Sequence, residues 1–326
     1  MQIFSKHCPA KYLIHNFSVK SQHFHHIVFS DELAEIGAID ELSEELTQLG
    51  QKLALLPCHP RLGKMVLMAC MFKCLVPILD TVAVLSDKDP FILSNIKMRV
   101  KNGEKISGIR KIYDNGVNSD HLMFHRLYQA WENAYDAGNS YQFCLNNCLN
   151  ERVLSTMWKI KKDVYDRLIS MDLVTDLEDA NVNARNINLV KGVISSAFHV
   201  AKCDRYPSKD FNFVLDSMRH ERIWIDRRSV NQRKRMPEKY MTYFNIQVNR
   251  KGNVQIKDCT NVHEKLIDLF ASHITGAKNP LSGDLQECFE EFLSGEAKDN
   301  NNENGLKSGP PKTIINVLQF IKQNAK

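Results

Sequence analysis

The chain has 326 residues, of which 43% are hydrophobic and 25% charged, with a formal net charge of +5 at pH 7. This is the composition of a soluble globular protein, and the length is sufficient for two ordinary domains. We expect neither a membrane-embedded nor a secreted protein, because no apolar run approaches the roughly 20 residues that cross a bilayer. Nine cysteines, an odd number, favour a reducing compartment, so the predicted location is cytoplasmic or nuclear.

The N-terminal third of the sequence predicts helices. Residues 1–30 have no clean period and stay unassigned, whereas Asp31 to Pro57 predicts a short helix, a turn at Gly37 and a second helix. Residues 61–75 are apolar nearly all round, which indicates a helix that is buried on most faces and central to a bundle.

Pro77 suits the first turn of the next helix, which the polar run 86–90 ends. The charged, glycine-containing stretch 97–118 predicts a loop or a frayed helix. Ser119 or Asp120 can then cap a helix with apolar residues at helical spacing.

Two more helices are predicted, at 151–171 and from Asn186 to Lys202, the latter being the last clear helical pattern. The character then changes, because short and partly alternating runs predict strands of a small β-barrel or sheet, at 211–216, 222–226, 243–249 and 253–258. The predicted fold class is therefore α+β. The polar stretch Gly295–Pro311 predicts a disordered linker, followed by a short helix at 313–321.

Basic residues are concentrated between positions 219 and 239, where eight of them stand against three acidic residues and so equal the net charge of the whole chain. Such a run is either the solvated face of a β-domain or a surface that follows phosphates, with Trp224, Tyr240, Tyr243 and Phe244 available for base stacking. Small five-stranded barrels commonly bind single strands by this combination, which favours a nucleic-acid ligand.

The sequence contains neither of the two ATPase motifs sought and only weak candidates for metal binding. Gly63-Lys64 lacks the upstream glycine and the following hydroxyl of a phosphate-binding loop, and no Asp-Glu-x-His motif occurs, so we predict no ATP hydrolysis by this chain alone. Three pairs at i, i+4 could bind zinc, although buried cysteines more often act as small hydrophobes, and no metal ligand is predicted. These pairs are Cys70 with Cys74, Cys144 with Cys148, and His121 with His125.

The segment Leu46–Leu93 closely resembles the helicase-associated (ratchet) domain that follows the two RecA-like domains of DEAH/RHA-type RNA helicases. It contains the family's Leu-Thr-x-Leu-Gly opening at Leu46–Gly50, its Leu-Pro-x-x-Pro-Arg-Leu-Gly-Lys-Met block at Leu56–Met65 and its Asp-Pro-Phe at Asp89–Phe91. Two later landmarks of the family are also present. Ser119–Leu122 with Trp131 is similar to its Ser-Asp-His-Leu followed by Trp, and Phe143–Asn150 is similar to its Phe-Cys-x-x-Asn element.

Two further stretches resemble strands of that family's oligonucleotide-binding (OB) domain, Ser229–Asn231 and Asn253–Val262, with Asp226-Arg227 in place of the usual His-Pro. The resemblance covers roughly residues 35 to 270. It implies a winged-helix remnant, a helical ratchet bundle, an OB-fold domain and a C-terminal extension, at 31–50, 51–185, 186–275 and 276–326.

The resemblance implies an RNA-binding accessory region of a DEAH-box ATP-dependent RNA helicase, and therefore a fragment whose motor would precede Asp31. ATP and Mg²⁺ would belong to that motor, and the expected partners are single-stranded RNA, the RecA-like domains and a glycine-patch activator protein. No catalytic residue is predicted. The candidate RNA-binding residues are Ser119, Asp120, His121, Arg222, Arg227, Arg228, Arg233, Lys234, Arg235 and Lys257.

Two alternatives stay open at this point, a protein-interaction scaffold derived from a helicase and a zinc-dependent enzyme. Charge reversal of the basic run 233–235 separates the first from RNA binding, and elemental analysis for zinc tests the second.

Overall fold

The computed structural model describes residues 32–40, 42–43, 45–92, 99–202, 213–216, 222–232, 236–248, 254–272, 276, 279–294 and 311–325. Only the backbone is described at 99–102, 213–216 and 222. The unassigned segment 1–30 and the predicted linker, apart from Pro311, lie outside these ranges.

The N-terminal region is a helical turn at 32–35 and helix α1, Gln48–Leu53, joined by a folded loop. Gly37 adopts a positive φ of 77°, as the predicted turn requires. The predicted second helix is shorter than expected, because the Asp40 side chain accepts hydrogen bonds from the amides of Leu42 and Ser43 and closes a turn instead. The helix starts at its cap, Thr47, whose hydroxyl accepts from the Gly50 amide.

Helix α2, Pro60–Met71, confirms the predicted helix with no exposed face, because all of its residues are buried. It ends at Met71, before Lys73 turns the chain with a φ of 53°. Helix α3, Leu75–Ser86, follows with Pro77 in its first turn, where a missing amide hydrogen costs nothing.

Helix α4, Arg99–Asp114, corrects the prediction of a loop or a frayed helix. Glu104, Lys105, Gly108 and Lys111 are exposed, while Ile106 and Ile109 are buried against helix α5, Asp120–Asp136. Ser119 caps α5, as predicted, by accepting from the Leu122 amide. The bundle continues with α6 (Ser140–Asn147), α7 (Glu151–Ser170), a single 3₁₀ turn (Asp179–Asn181) and α8 (Ile187–Ser195).

Helix α8 ends seven residues earlier than predicted. The hydroxyls of Ser195 and Ser196 donate to carbonyls of the preceding turn, which competes with further helical bonding. The predicted helix end is in fact strand β1, His199–Lys202, which sequence periodicity missed.

The strands form a closed barrel in the order β1-β2-β3-β5-β4, with β2 at Phe213–Asp216, β3 at Arg222–Ile225, β4 at Tyr240–Val248 and β5 at Val254–Val262. Only the β3–β5 pair is parallel. This small barrel resembles an OB-fold and, together with the helical region, confirms the predicted α+β class.

Three helices in the described ranges follow the barrel, α9 (Glu264–Phe270), α10 (Pro280–Ser294) and α11 (Lys312–Asn324), of which the last confirms the predicted tail helix. Their buried apolar residues share one core with α1, α2 and α8. Gly192 on α8 makes this packing possible, because an added Cβ would lie 2.5 Å from the Phe270 ring. None of the helices in the described ranges is long and apolar enough to cross a membrane.

Candidate nucleic-acid interface

The helical bundle and the barrel meet at the first turn of α5, where the Asp120 carboxylate is fully buried. Its oxygens accept from the Ser229 hydroxyl at 2.6 Å, the Val230 amide at 2.9 Å and the Cys259 amide at 3.1 Å, all of which belong to the barrel. Burial raises the pKa of this carboxyl, although Arg110 and these hydrogen bonds favour the charged form. The carboxylate therefore acts as a clamp between the two parts of the chain.

The residues on either side of Asp120 contact the same strand. The hydroxyls of Ser119 and Thr260 lie 2.6 Å apart, and His121 Nδ1 lies 2.7 Å from the Thr260 hydroxyl. Burial lowers the pKa of His121 to about 3, so its ring is neutral at physiological pH. Three successive residues of one helix thus bind one strand of the barrel.

Lys191 of α8 adds a further connection, since its ammonium donates to the carbonyls of Val117 at 2.7 Å and Asn261 at 2.9 Å. Burial lowers the pKa of Lys191 to about 8. The Asn231 side chain donates in turn to the Cys259 carbonyl at 3.0 Å. Helices α5 and α8 consequently hold the barrel in one orientation through buried polar bonds.

The structure therefore places the predicted site residues Ser119, Asp120 and His121 together, but inside the junction, each with 1% or less of its surface exposed. Their polar groups are engaged by barrel residues rather than directed to solvent. The sequence predicted these three residues together as one motif, but their burial follows only from the tertiary packing of α5 on β5.

Next to the junction, a cleft of about 290 Å³ separates the loop after α3 from the barrel. One side of it is a chain of ion pairs in which Arg110 donates to Asp89 at 2.8 Å, and Arg228 reaches Asp89 at 3.4 Å and Asp226 at 3.1 Å. Burial alone would raise the pKa of Asp226, but the hydrogen bonds from Arg228 lower it. Asp226, one of the two residues that stand in place of the usual His-Pro, thus orients the predicted site residue Arg228.

The other charged lining residues are two lysines and three acidic residues, Asp87, Asp120 and Asp258. Lys88 from the bundle and Lys257 from β5 both line it, and neither forms an ion pair with an acidic group in the described ranges. Asp258 takes a left-handed conformation, with a φ of 51°, beside Lys257. Burial, and secondarily the Asp120 charge, raises the pKa of Asp258 to about 7. Lys88 was not predicted, because only the folded barrel brings it to Lys257. Asp258 was not predicted, because its raised pKa arises first from burial, which the sequence does not show.

The remaining predicted basic residues are described only in part. Arg227 is exposed next to Arg228. Arg222 begins β3, with only its backbone described, and Arg233, Lys234 and Arg235 lie outside the described residues.

The predicted stacking aromatics divide into two groups. Tyr243 is fully buried in the barrel core, so the expectation of a free stacking surface is wrong for it, whereas Phe244 is half-buried and packs on Phe198 with ring centroids 5.1 Å apart. Trp224 keeps 41% of its surface exposed, and Tyr240 is half-buried.

The cysteine and histidine pairs considered for zinc lie in separate surroundings. Cys70 and Cys74 are buried in the apolar core, and burial raises the thiol pKa of Cys70 to about 12. His121 contacts Thr260, whereas His125 Nδ1 lies 2.7 Å from the buried Asp80 carboxylate. Within the described part of the chain, no three His, Cys, Asp or Glu residues gather as metal ligands would.

Comparison with known protein families identifies the helical part. The winged-helix family model "Helicase associated domain (HA2), winged-helix" matches residues 31–58, and "Helicase associated domain (HA2), ratchet-like" matches residues 59–124. Residues 31–124 therefore match helicase-associated domains of the winged-helix and ratchet-like types, and a small OB-like barrel lies farther along the chain.

The chain is homologous to the DExH/DHX RNA helicases. It is 29% identical over 240 residues to the DExH-box ATP-dependent RNA helicase DExH3 of Arabidopsis thaliana. This alignment covers 74% of this chain and 19% of that protein. It is 28% identical over 256 residues to the human ATP-dependent DNA/RNA helicase DHX36 (76% and 25%), and 27% identical over 249 residues to the human ATP-dependent RNA helicase DHX30 (71% and 20%). The chain spans about a fifth to a quarter of the length of these curated relatives and corresponds to their accessory region.

Proposed function

We propose that this chain binds single-stranded RNA, as the accessory region of an ATP-dependent RNA helicase, and guides the strand beside motor domains that bind ATP and Mg²⁺. The supporting observation is the cleft where Lys88 of the bundle and Lys257 of the barrel face a common space, next to exposed Arg227. Positive side chains that follow a groove attract the phosphate backbone without reading sequence.

The proposed contacts differ in kind. Arg227 and Lys257 contact phosphates directly. Arg222, Arg233, Lys234 and Arg235 are further proposed RNA-binding residues, on the evidence of the basic run in the sequence. Arg228 is partly neutralised by Asp226 and Asp89, so it contributes one remaining face of its guanidinium. Ser119, Asp120 and His121 act through the barrel, by fixing the distance between Lys88 and Lys257.

The proposal gives no catalytic role to this chain. We expect no ATP hydrolysis by the isolated chain, measured as phosphate release with and without RNA, and RNA-stimulated turnover would contradict this. The RecA-like motor domains and a glycine-patch activator are its proposed protein partners in the cytoplasm or the nucleus.

The test is fluorescence anisotropy with a labelled single-stranded RNA at fixed salt. The double variant Lys88→Glu/Lys257→Glu should raise Kd by about 30-fold, since two phosphate contacts are lost and each costs on the order of 1 kcal/mol. Lys312→Glu/Lys322→Glu, two exposed positions on α11, is the matched control and should bind as the unchanged chain does.

Equal Kd values for both double variants would contradict the proposed cleft. Absence of RNA binding by the unchanged chain would instead favour a protein-interaction scaffold. Thermal unfolding of each variant shows that the fold is intact, because all four lysines keep exposed surface.

A further inference from the structure

A pocket of about 650 Å³ lies between α3, α5 and the segment that leads into α8. Asp120 and Phe124 of α5 line the cleft at Lys257, whereas Leu122 and Gln129 of the same helix line the pocket. Since successive residues of an α-helix are turned by about 100°, these two pairs lie on nearly opposite faces of α5. The pocket is therefore separate from the cleft that is proposed to bind RNA.

The wall of the pocket is held in place by backbone and side-chain bonds. Asn181 Oδ1 accepts from the Val76 amide at 2.7 Å, and Asn181 Nδ2 donates to the Leu177 carbonyl at 2.7 Å, so the segment before α8 is tied to α3. Two apolar lining residues are nevertheless exposed, Leu177 by 43% and Ile187 by 38%. A preformed pocket with an apolar wall is typical of small-molecule sites, whose volumes are about 300–1,000 Å³.

Two arginines from different elements line the pocket. Arg126 Nη1 donates to the Asp114 carbonyl at 2.7 Å, which fixes the guanidinium of Arg126 and leaves its Nε and Nη2 for a ligand. Arg185 is exposed and forms no ion pair with an acidic residue of the described ranges. Glu178 is the one acidic residue among the described lining residues. The pocket therefore carries an excess of positive charge, and guanidinium groups bind phosphate through paired hydrogen bonds.

His125 supplies a contact of another kind. Its Nδ1 lies 2.7 Å from a carboxylate oxygen of Asp80, which is fully buried, pairs with Lys161 at 2.7 Å and does not line the pocket. Because a carboxylate only accepts, Nδ1 carries the hydrogen and Nε2 of the neutral ring is an acceptor. This second nitrogen is not among the buried atoms that lack a partner, so it is open to a ligand. An acceptor held in this way suits a hydroxyl group.

We propose that this pocket binds a nucleoside monophosphate. The phosphate contacts Arg126 and Arg185, a ribose hydroxyl donates to His125 Nε2, and the base lies against the apolar wall at Leu122 and Ile187. A nucleotide combines the three features that the lining residues select, namely an anion, a hydroxyl donor and a flat apolar body. The inference does not depend on the proposed RNA cleft, because the pocket lies on the other face of α5.

The test is isothermal titration calorimetry of the full chain with AMP, GMP, CMP and UMP in turn. We expect at least one of them to bind with a Kd at least tenfold lower than that of its nucleoside, since the phosphate adds charge-assisted hydrogen bonds. Arg185→Gln/Gln129→Glu, at two exposed lining positions, should raise this Kd at least tenfold. Arg152→Gln/Gln142→Glu, at exposed positions on α7 and α6, makes the same change of charge and should leave Kd unchanged.

Three results would overturn the proposal. The first is no binding of any of the four nucleotides, or equal affinity for nucleotides and nucleosides. The second is inorganic phosphate binding as tightly as the best nucleotide, which would show an anion site only. The third is displacement of the nucleotide by single-stranded RNA, or its loss in Lys88→Glu/Lys257→Glu, because the nucleotide would then occupy the RNA surface. Thermal unfolding of each variant shows that the fold is intact.

Discussion

Asp120 at the junction and Lys64 on helix α2 are both charged and buried, with opposite surroundings. The Asp120 carboxylate receives three hydrogen bonds from the barrel, so its burial joins two parts of the molecule. The Lys64 ammonium has no hydrogen bond in the described ranges, and burial lowers its pKa to about 8. Burial of a charged group therefore joins parts of the chain where the opposite part supplies hydrogen-bond partners, as the barrel does for Asp120.

The largest expected effect comes from breaking the junction. Asp120→Ala leaves the Ser229 hydroxyl and the Val230 and Cys259 amides buried without an acceptor, and should lower the free energy of unfolding by about 3 kcal/mol or more. Urea unfolding measures it. Asp163→Ala, at an exposed position on α7, should change stability by less than about 0.5 kcal/mol, and equal losses for both variants would refute the clamp.

A smaller effect is expected where helix α1 approaches the Gly37–Ala38 turn. An added Cβ at Gly50 would lie 2.0 Å from the Ala38 carbonyl oxygen, so Gly50→Ala should destabilise the chain by about 2 kcal/mol. In Gly108→Ala the added Cβ meets nothing within 4 Å, and this helical position should gain about 0.5–1 kcal/mol. Thermal melts of the two variants should shift in opposite directions.

The smallest expected effect is a pH dependence of RNA affinity at the cleft. The carboxyl of Asp258 has a pKa of about 7, so it is mostly neutral at pH 6 and mostly charged at pH 8, where it repels phosphates beside Lys257. Kd should rise about threefold from pH 6 to pH 8, which is the usual size of the effect of one nearby charge on affinity. Anisotropy with Asp258→Asn should show a flatter profile, and an unchanged profile would exclude Asp258 as its source.

Sequence periodicity predicted the elements whose burial follows from the local spacing of apolar residues. Helix α2 is apolar on every side and is buried on every side, and Ser119 caps α5 where a serine precedes an apolar period. Helix α4 was predicted as a loop or a frayed helix, because Gly103, Gly108 and the many charged residues obscure the helical spacing of the few apolar residues that pack on α5. β1 was missed because its four residues continue the apolar pattern of α8.

The candidate site was predicted less completely than the fold. The Ser-Asp-His landmark was found through resemblance, but its burial depends on β5, more than 130 residues later. Tyr243 was expected to stack on bases, yet strand alternation places it inside the barrel. Lys88 was not considered, since only the closed barrel brings its loop to Lys257.

The most direct test of the central claim is the salt dependence of single-stranded RNA binding by the full chain. The logarithm of the association constant should fall linearly with the logarithm of salt concentration, and Lys88→Glu/Lys257→Glu should reduce the slope by about 1.4, or roughly 0.7 per lost phosphate contact. The Lys312→Glu/Lys322→Glu control should keep the original slope. An affinity that does not depend on salt, or no binding at any salt concentration, would contradict the account.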